Sequence, residues 1–334
     1  MRVSVVDAGS NTVRLVIADV EGGVPLPVHT VKWKLRLSEQ VGADGSLGAD
    51  AVEQLVEAVA AAGSTAQRWS ASGPLAFATA VVRNAPNRQE VLRRVWTGTG
   101  IRMCTLPGET EAELTFLAAR RWLGWNAGPL ALLDIGGGSL EVAFGRGRLP
   151  DFAASLPLGA NRLTQEMLAT DPPTAAELKA LRRRVRHELR DVASRIRWES
   201  PRTTAVSSRT FQQLARLCGV PPGRHGPFVR REMLRQDLLG AIDALAALPA
   251  AERAQLPGIS APRAAQSLAG AVVGHTALKL MGVRRVVVCP WAIREGVLLR
   301  YIEEGADWWA DTSVDPETAA PPRAAALRIA TRPG

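Results

Sequence analysis

The chain writes one uncommon pattern twice. "VSVVDAGSNTVRLVIADV", residues 3–20, and "LLDIGGGSLEVAFGRG", residues 132–147, each run as an apolar strand ending on an aspartate. Each then bends through glycine and small polar residues and resumes as a strand. With Asp7 set on Asp134, Gly9 falls on Gly136 and Thr12 on Ser139. A duplication of this kind in 334 residues predicts two related α/β units that face each other across a cleft.

The rest of the chain alternates strand and helix signals. Strands are expected at 3–7, 12–20, 32–37, 74–79 and 101–106. Val52, Leu55, Val56 and Val59 recur at helical spacing. Asn87 is the expected cap of a helix that begins just after it, and a helix over 109–123 is expected to stop at Gly124. The first unit therefore spans 1–124 and the second 125–309.

In the second unit, a helix over 175–198 sets Leu178, Leu181, Val185, Leu189, Val192 and Ile196 on one face. Its other face carries Arg182, Arg183, Arg184, Arg186 and Arg190, which reads first as an exposed charged face. Residues 203–219 read as strand, turn and helix; 231–248 and 261–282 as helices; 284–290 as a buried strand. A last helix, 292–304, is expected to pack back on the first unit. From about 310 the sequence is rich in Pro, Ala, Thr and Arg without a period, and a disordered tail over 310–334 is expected.

The two bends suit phosphate chemistry. Glycine lets a backbone approach a ligand closely, and successive N–H groups then form a concave anion site. Gly136, Gly137 and Gly138 leave that approach open up to Ser139, whereas Gly9, Ser10 and Asn11 supply one glycine and small polar side chains. A phosphate held there would lie beside Asp7 and Asp134, and two carboxylates repel it unless a hard cation intervenes. Mg²⁺, or Mn²⁺ in its stead, is the usual solution. A lone glycine turn is more often a plain tight hairpin. Here a strand follows the glycines, so this is no dinucleotide fingerprint, and no GxxxxGK[ST] loop occurs. The repetition is what points to phosphate.

Composition narrows the partners. The net charge of +9 favours an anionic one. Cys104, Cys218 and Cys289 are far apart without a CxxC pair, which argues against zinc and a disulfide framework. The first strand begins at Arg2, leaving no room for a signal peptide, and no apolar run is long enough to span a membrane. A soluble, cytoplasmic protein is expected. A nucleic-acid module would account for the charge but not for two Asp-Gly bends, so no nucleic-acid or membrane partner is expected. His187 reads as surface and His275 as a satisfied core residue.

"VVDAGSNTVRLVI" and "LLDIGGGSLEV" resemble the two phosphate-binding segments of the superfamily of actin, sugar kinases and chaperone ATPases. Within it, "FATAVVRNAPN", "PGETEAELTFLA", "LPLGANRL", "LPGISAPRA" and "CPWAIREGVL" resemble the exopolyphosphatase and guanosine pentaphosphate phosphohydrolase family, in its short two-domain form. The resemblance implies an α/β fold of two duplicated actin-like (ribonuclease H-like) domains, with mixed sheets flanked by helices and the active site between them. It implies a Mg²⁺-dependent hydrolase that removes terminal phosphate from inorganic polyphosphate processively. Hydrolysis of guanosine pentaphosphate, with guanosine tetraphosphate as a related ligand and a tie to the stringent response, is the neighbouring reading. A non-catalytic sensor of such anions is the reading from another class. A family-like homodimer is a further implication.

The same resemblance points to Glu111 of "GETEAEL" as the general base, with Glu109 and Glu113 as competitors whose simpler role is favourable charge in a helix's first turn. It sets Arg83 at the cleft, where an arginine can clamp a phosphate bidentately. Glu141, two residues after Ser139, shares its strand face and reads as a second metal or water-orienting carboxylate beside Asp134. In "AVSSRTFQQLA", Ser207, Ser208, Arg209 and Thr210 bring hydroxyls and N–H groups to a helix start, an anion site. Arg209 there departs from the family's small residues, disfavouring a nucleotide base and favouring a string of phosphates. Ala265 stands where an acid is expected.

Overall fold

The structure, a computed structural model, describes residues 1–226, 229 and 231–312. The first half runs β1 (Arg2–Ala8), β2 (Thr12–Glu21), β3 (Val24–Lys34), α1 (Ala49–Arg68), β4 (Leu75–Ala78), α2 (Ala80–Arg83), α3 (Arg88–Thr99), β5 (Met103–Thr105) and α4 (Gly108–Leu123). The second runs β6 (Leu130–Ile135), β7 (Leu140–Gly145), β8 (Phe152–Leu156), α5 (Ala160–Met167), α6 (Ala175–Glu199), β9 (Thr203–Ser207), α7 (Ser208–Leu217), β10 (Glu232–Leu234), α8 (Arg235–Ala246), α9 (Ala250–Arg253), α10 (Ala264–Leu280), β11 (Arg285–Val288) and α11 (Ile293–Thr312).

Among the described residues the strands form two mixed sheets, in the orders β3-β2-β1-β4-β5 and β10-β11-β9-β6-β7-β8. In each, an antiparallel meander of three strands leads and two parallel strands extend the sheet from its first strand; the second sheet adds β10, antiparallel, at its edge. The internal duplication is thus a duplication of topology. Helices α1 and α3 cover one face of the first sheet, burying Leu55, Val59, Val91 and Val95 against Val6, Leu15 and Ile17. On one face of the second sheet, α6 and α10 bury Leu181, Val185, Leu189, Leu268 and Val272 with Leu133, Val142 and Phe144. Removing such side chains from water contributes roughly 1.5–3 kcal/mol apiece.

The remaining sheet faces are covered by exchange. Helix α4 lays Ala112, Phe116 and Ala119 against Leu130, Leu132 and Ala143 of the second sheet. Helix α11 returns Val297 and Leu298 to Val3, Val5 and Val16 of the first. The two helices cross so closely that a Cβ on Gly296 would strike the Leu114 carbonyl. A layer shared in this way holds the two sheets in a fixed relation, and the cleft lies between their hairpin bends.

Several elements depart from the sequence reading. The third strand begins at Val24, not near 32, because Pro25 and Pro27 conceal its start. It is an edge strand, where proline removes no ladder bond, and the register with β2 slips beside it at Ile17/Ala18. Asn87 stands at the start of α3 but does not cap it; its amide bonds both the N–H and the C=O of Leu47. Glu232–Leu234 is a strand rather than the start of a helix. Helix α11 bends at Gly305 (φ 82°) and continues to Thr312, so the first residues of the expected tail are helical. The rest of that tail lies outside the described residues. No helix among the described residues is long and apolar enough to cross a membrane.

Candidate active site

The two bends are built alike. The N–H of Gly9 donates to the Thr12 carbonyl at 3.0 Å, and that of Gly136 to the Ser139 carbonyl at 2.9 Å. Among the described residues, the N–H groups of Ser10, Asn11, Gly137 and Gly138 have no hydrogen-bond partner. Such unpaired donors on a concave backbone attract anions.

Neighbouring segments hold both bends in shape. The amides of Ala160, Asn161 and Arg162, opening α5, donate to the carbonyls of Gly136 and Gly137, each at 3.0 Å. Gly159 packs so tightly beneath that a Cβ there would strike the backbone of Gly137, Gly138 and Ser139. On the other side the carbonyls of Ser10 and Asn11 accept from Ser38, Leu35 and Arg36. The bends nearly touch, for a Cβ added to Gly137 would lie 2.8 Å from Ser10 Oγ.

A cleft of about 610 Å³ opens above them. Gly9, Ser10, Asn11, Gly136, Gly137, Gly138, Ser139, Asp7, Asp134, Glu111, Glu141, Ser208 and Arg209 all line it, so the two aspartates share one crevice. Asp134 sits directly across from Glu141 in the β6–β7 pair. Ser155 donates to Glu141 Oε1 at 3.0 Å. Glu111 is 6% exposed on the first turn of α4, whereas Glu109 and Glu113 are exposed. The helix spacing that buries one glutamate turns its neighbours outward.

Electrostatics divide the cleft. Burial, with the charge of Glu141 behind it, holds Glu111 well above the usual carboxylate range, and Arg83 pulls the other way. Burial, then Glu141, pushes Asp134 up to about 7, while the charge of Arg294 lowers it. Burial also raises Glu141. The other wall is basic, with Arg14, Lys32, Lys34, Arg36, Arg209 and Arg263. Burial and the neighbouring Arg209 and Arg14 lower Arg263 to about 10. Burial, then Arg14, Arg209 and Arg263, likewise lowers Lys32. These cations are crowded enough to repel one another, and a multivalent anion would relieve that repulsion.

Three sequence-identified side chains do not line the open cleft. Arg83 does not line the open cleft: its guanidinium forms an ion pair with Glu111 and donates to the Leu106 carbonyl. It therefore lies behind the glutamate. Ser207 is fully buried and donates to the Trp291 carbonyl at 2.8 Å. Thr210 is buried away from the cleft. Asp7 is in the cleft but already paired, its Oδ2 accepting from Arg294 at 2.7 Å. Arg294, Arg14, Arg263, Lys32 and Lys34 were not foreseen. Laying the two patterns together would have found Arg14, which occupies in the first the position of Glu141 in the second.

A carboxylate pair across a β-ladder and a third beside it offer oxygens to a hard cation. Among the described residues no group of three or more His, Cys, Asp or Glu is arranged to hold a metal unaided. Two oxygens completed by water and phosphate is the way Mg²⁺ is ordinarily bound.

Two sheets of one topology, each presenting an Asp-Gly bend to a common cleft, define an actin-like phosphate-handling protein. The chain belongs to the Ppx/GppA phosphatase family, whose sequence profile matches residues 16–304. It is 70% identical over 333 residues to an uncharacterized protein of Streptomyces coelicolor, covering 99% of each chain. It is 41% identical over 309 residues to Exopolyphosphatase 1 of Mycobacterium tuberculosis, covering 92% of this chain and 90% of that one. The crystal structure of the Aquifex aeolicus Ppx/GppA family member superposes with a TM-score of 0.79 at 27% identity, over 91% of this chain and 98% of the other.

Proposed function

We propose that this chain is an exopolyphosphatase that removes the terminal phosphate of inorganic polyphosphate with the help of a bound divalent cation. The observation that carries this reading is the division of the cleft. Buried carboxylates gather at one end, and a wall of Arg and Lys leads away from it. No aromatic ring lines the cleft among the described residues. A guanine base would lack a stacking surface there, so a bare phosphate chain is the better fit than guanosine pentaphosphate.

The terminal phosphoryl group sits between the two bends and accepts hydrogen bonds from the open amides of Ser10, Asn11, Gly137 and Gly138. Ser139 and Ser208 add hydroxyls. The rest of the chain extends along Arg14, Lys32, Arg209 and Arg263. Asp134 and Glu141 would hold Mg²⁺ or Mn²⁺, which would supply charge neutralisation at the phosphoryl group. Asp7 is already held by Arg294 at the edge of the same crevice. Glu111 takes the proton of a water whose oxygen attacks phosphorus in line. The new P–O bond forms as the bridging P–O bond breaks, releasing orthophosphate and a chain one unit shorter. Arg83 acts through Glu111 by holding its carboxylate in place. A carboxylate lifted towards neutrality is a stronger base than an exposed one, and a positioned base contributes about 10²–10⁴-fold. The remaining catalysis is positioning and charge neutralisation at phosphorus. A chain gripped along a basic wall favours repeated cleavage before release.

Orthophosphate release with Mg²⁺, from polyphosphates of several lengths and from guanosine pentaphosphate, tests this. Wild type should release phosphate from polyphosphate, and Glu111→Ala should be slower by at least about 10²-fold. Release from guanosine pentaphosphate alone would favour the nucleotide. Release from neither would leave a sensor, and undiminished release by the variant would remove Glu111 as base.

A further inference from the structure

A second basic cavity, of about 690 Å³, lies among α6, α8 and α10 and shares no lining residue with the cleft. Arg182 and Arg186 enter it from α6, Arg235 from α8, and His275 and Lys279 from α10. Its apolar part is formed by Leu239, Ile242, Val272 and Leu280, and Asp243 is the carboxylate lining it. Four permanent cations thus converge on one concavity from three helices.

The contrast along α6 is informative. Arg184 and Arg195 pair with Glu188 and Glu199 one turn on, and Arg190 pairs with Asp191. Arg182 and Arg186, the two that face α8 and α10, have no carboxylate partner among the described residues, nor has Lys279. His275 is half-buried rather than a core residue. Burial and the charges of Arg235, Lys279 and Arg182 lower its pKa, against a smaller opposing effect of Asp243. A simple solvated charged face spreads its cations out; this one concentrates them around a recess with an apolar floor.

We propose that this cavity is a second anion site, which takes a compact multivalent phosphate such as tripolyphosphate. Planar guanidinium groups on two sides match phosphate oxygens in bidentate fashion, and Lys279 adds a point charge at the end of α10. The recess suits a small, densely charged ligand better than a nucleic-acid duplex or a membrane surface, which a convex basic face would serve.

The test uses the full-length protein without divalent cation, with Arg209→Ala and Arg263→Ala introduced so that the cleft binds weakly. Calorimetric titration with tripolyphosphate should still detect one site. Adding Arg182→Ala and Lys279→Ala should weaken that site about tenfold or more, since hydrogen bonds to charged groups are the stronger kind. Because exposed side chains are replaced, the thermal midpoint should hardly move. The His275 ring-proton resonances supply a second readout that needs no pocket variant. Tripolyphosphate should raise the imidazole pKa, as an anion lodged beside Arg182, Arg186, Arg235 and Lys279 would offset their repulsion. No residual site in the cleft-weakened protein, or a site indifferent to the pocket substitutions with His275 unmoved, overturns the proposal. So does binding of duplex DNA or anionic vesicles that tripolyphosphate fails to displace.

Discussion

The two halves carry the same cross-strand row with opposite charge. In the first sheet Phe77, Asp7, Arg14 and Lys32 lie side by side across β4, β1, β2 and β3. In the second, Ser207, Asp134, Glu141 and Ser155 occupy the matching positions across β9, β6, β7 and β8. The bends above them close with the same hydrogen bond. Backbone geometry was thus duplicated while side-chain chemistry was divided. One aspartate faces Arg14 and pairs with Arg294, while the other faces a glutamate and is pushed up to about 7. On the proposed function, the first row would help hold the anion and the second the cation.

The comparison breaks most sharply at its central position. Glu141→Arg, which copies Arg14 into the second row, should lower orthophosphate release by about 10³-fold or more, in line with loss of a preorganised electrostatic group. It should also abolish any rise in melting temperature on adding Mg²⁺. Near-normal turnover would mean that the acidic row is not the cation side.

The bends themselves come next. Gly137 matches Ser10 in the duplicated pattern, and the two face each other across the cleft floor. Gly137→Ala should force them apart and cost about 1–3 kcal/mol, as overpacking usually does. Exchanging both residues, Ser10→Gly with Gly137→Ser, should recover much of that loss. A single variant as stable and active as wild type would show that the contact gives way easily.

In the first row, Arg14→Ala should act on binding. The KM for polyphosphate should rise about tenfold, with less change in kcat, and the dependence of KM on salt should flatten as one cation is lost. An equal fall in kcat would move Arg14 to the chemical step.

The smallest effect concerns pH. Asp134 binds its proton more tightly in the folded protein than in the unfolded chain, so the folded state holds more protons between about pH 4 and 7. Without divalent cation, that group's contribution to stability is full below this window and is lost as pH rises through it. The melting temperature should fall by a few degrees across the window, and Asp134→Asn should flatten the slope. Mg²⁺, which favours the ionised carboxylates, should restore the midpoint at pH 8.

Much of this was legible because the bends are written in residues with few other uses. Asp followed by glycine between apolar strands appears twice, and duplication then gives topology. Glu111 stood out from Glu109 and Glu113 through resemblance, and in the structure it is the buried one of the three. Long-range pairing was not legible. Arg83 reads like any cleft arginine until the fold brings it behind Glu111. Arg294 meets Asp7 from the far end of the chain. Strand β8 was missed because its residues are half-buried throughout, and α5, although it supports the glycine bend, because eight residues are too short a run to stand out. Strand β3 was shortened because proline in an edge strand looks like a loop.

The return of α11 to the first sheet has a consequence for biosynthesis. Residues 3–16 emerge early from the ribosome, yet Val297 and Leu298, which complete their packing, and Arg294, which steadies Asp7, are made nearly last. A nascent chain that has finished its first sheet still lacks the helix that covers one side of it. Translation halted before that helix should therefore yield an inactive, protease-sensitive polypeptide, so that hydrolytic competence arrives only when synthesis is nearly over.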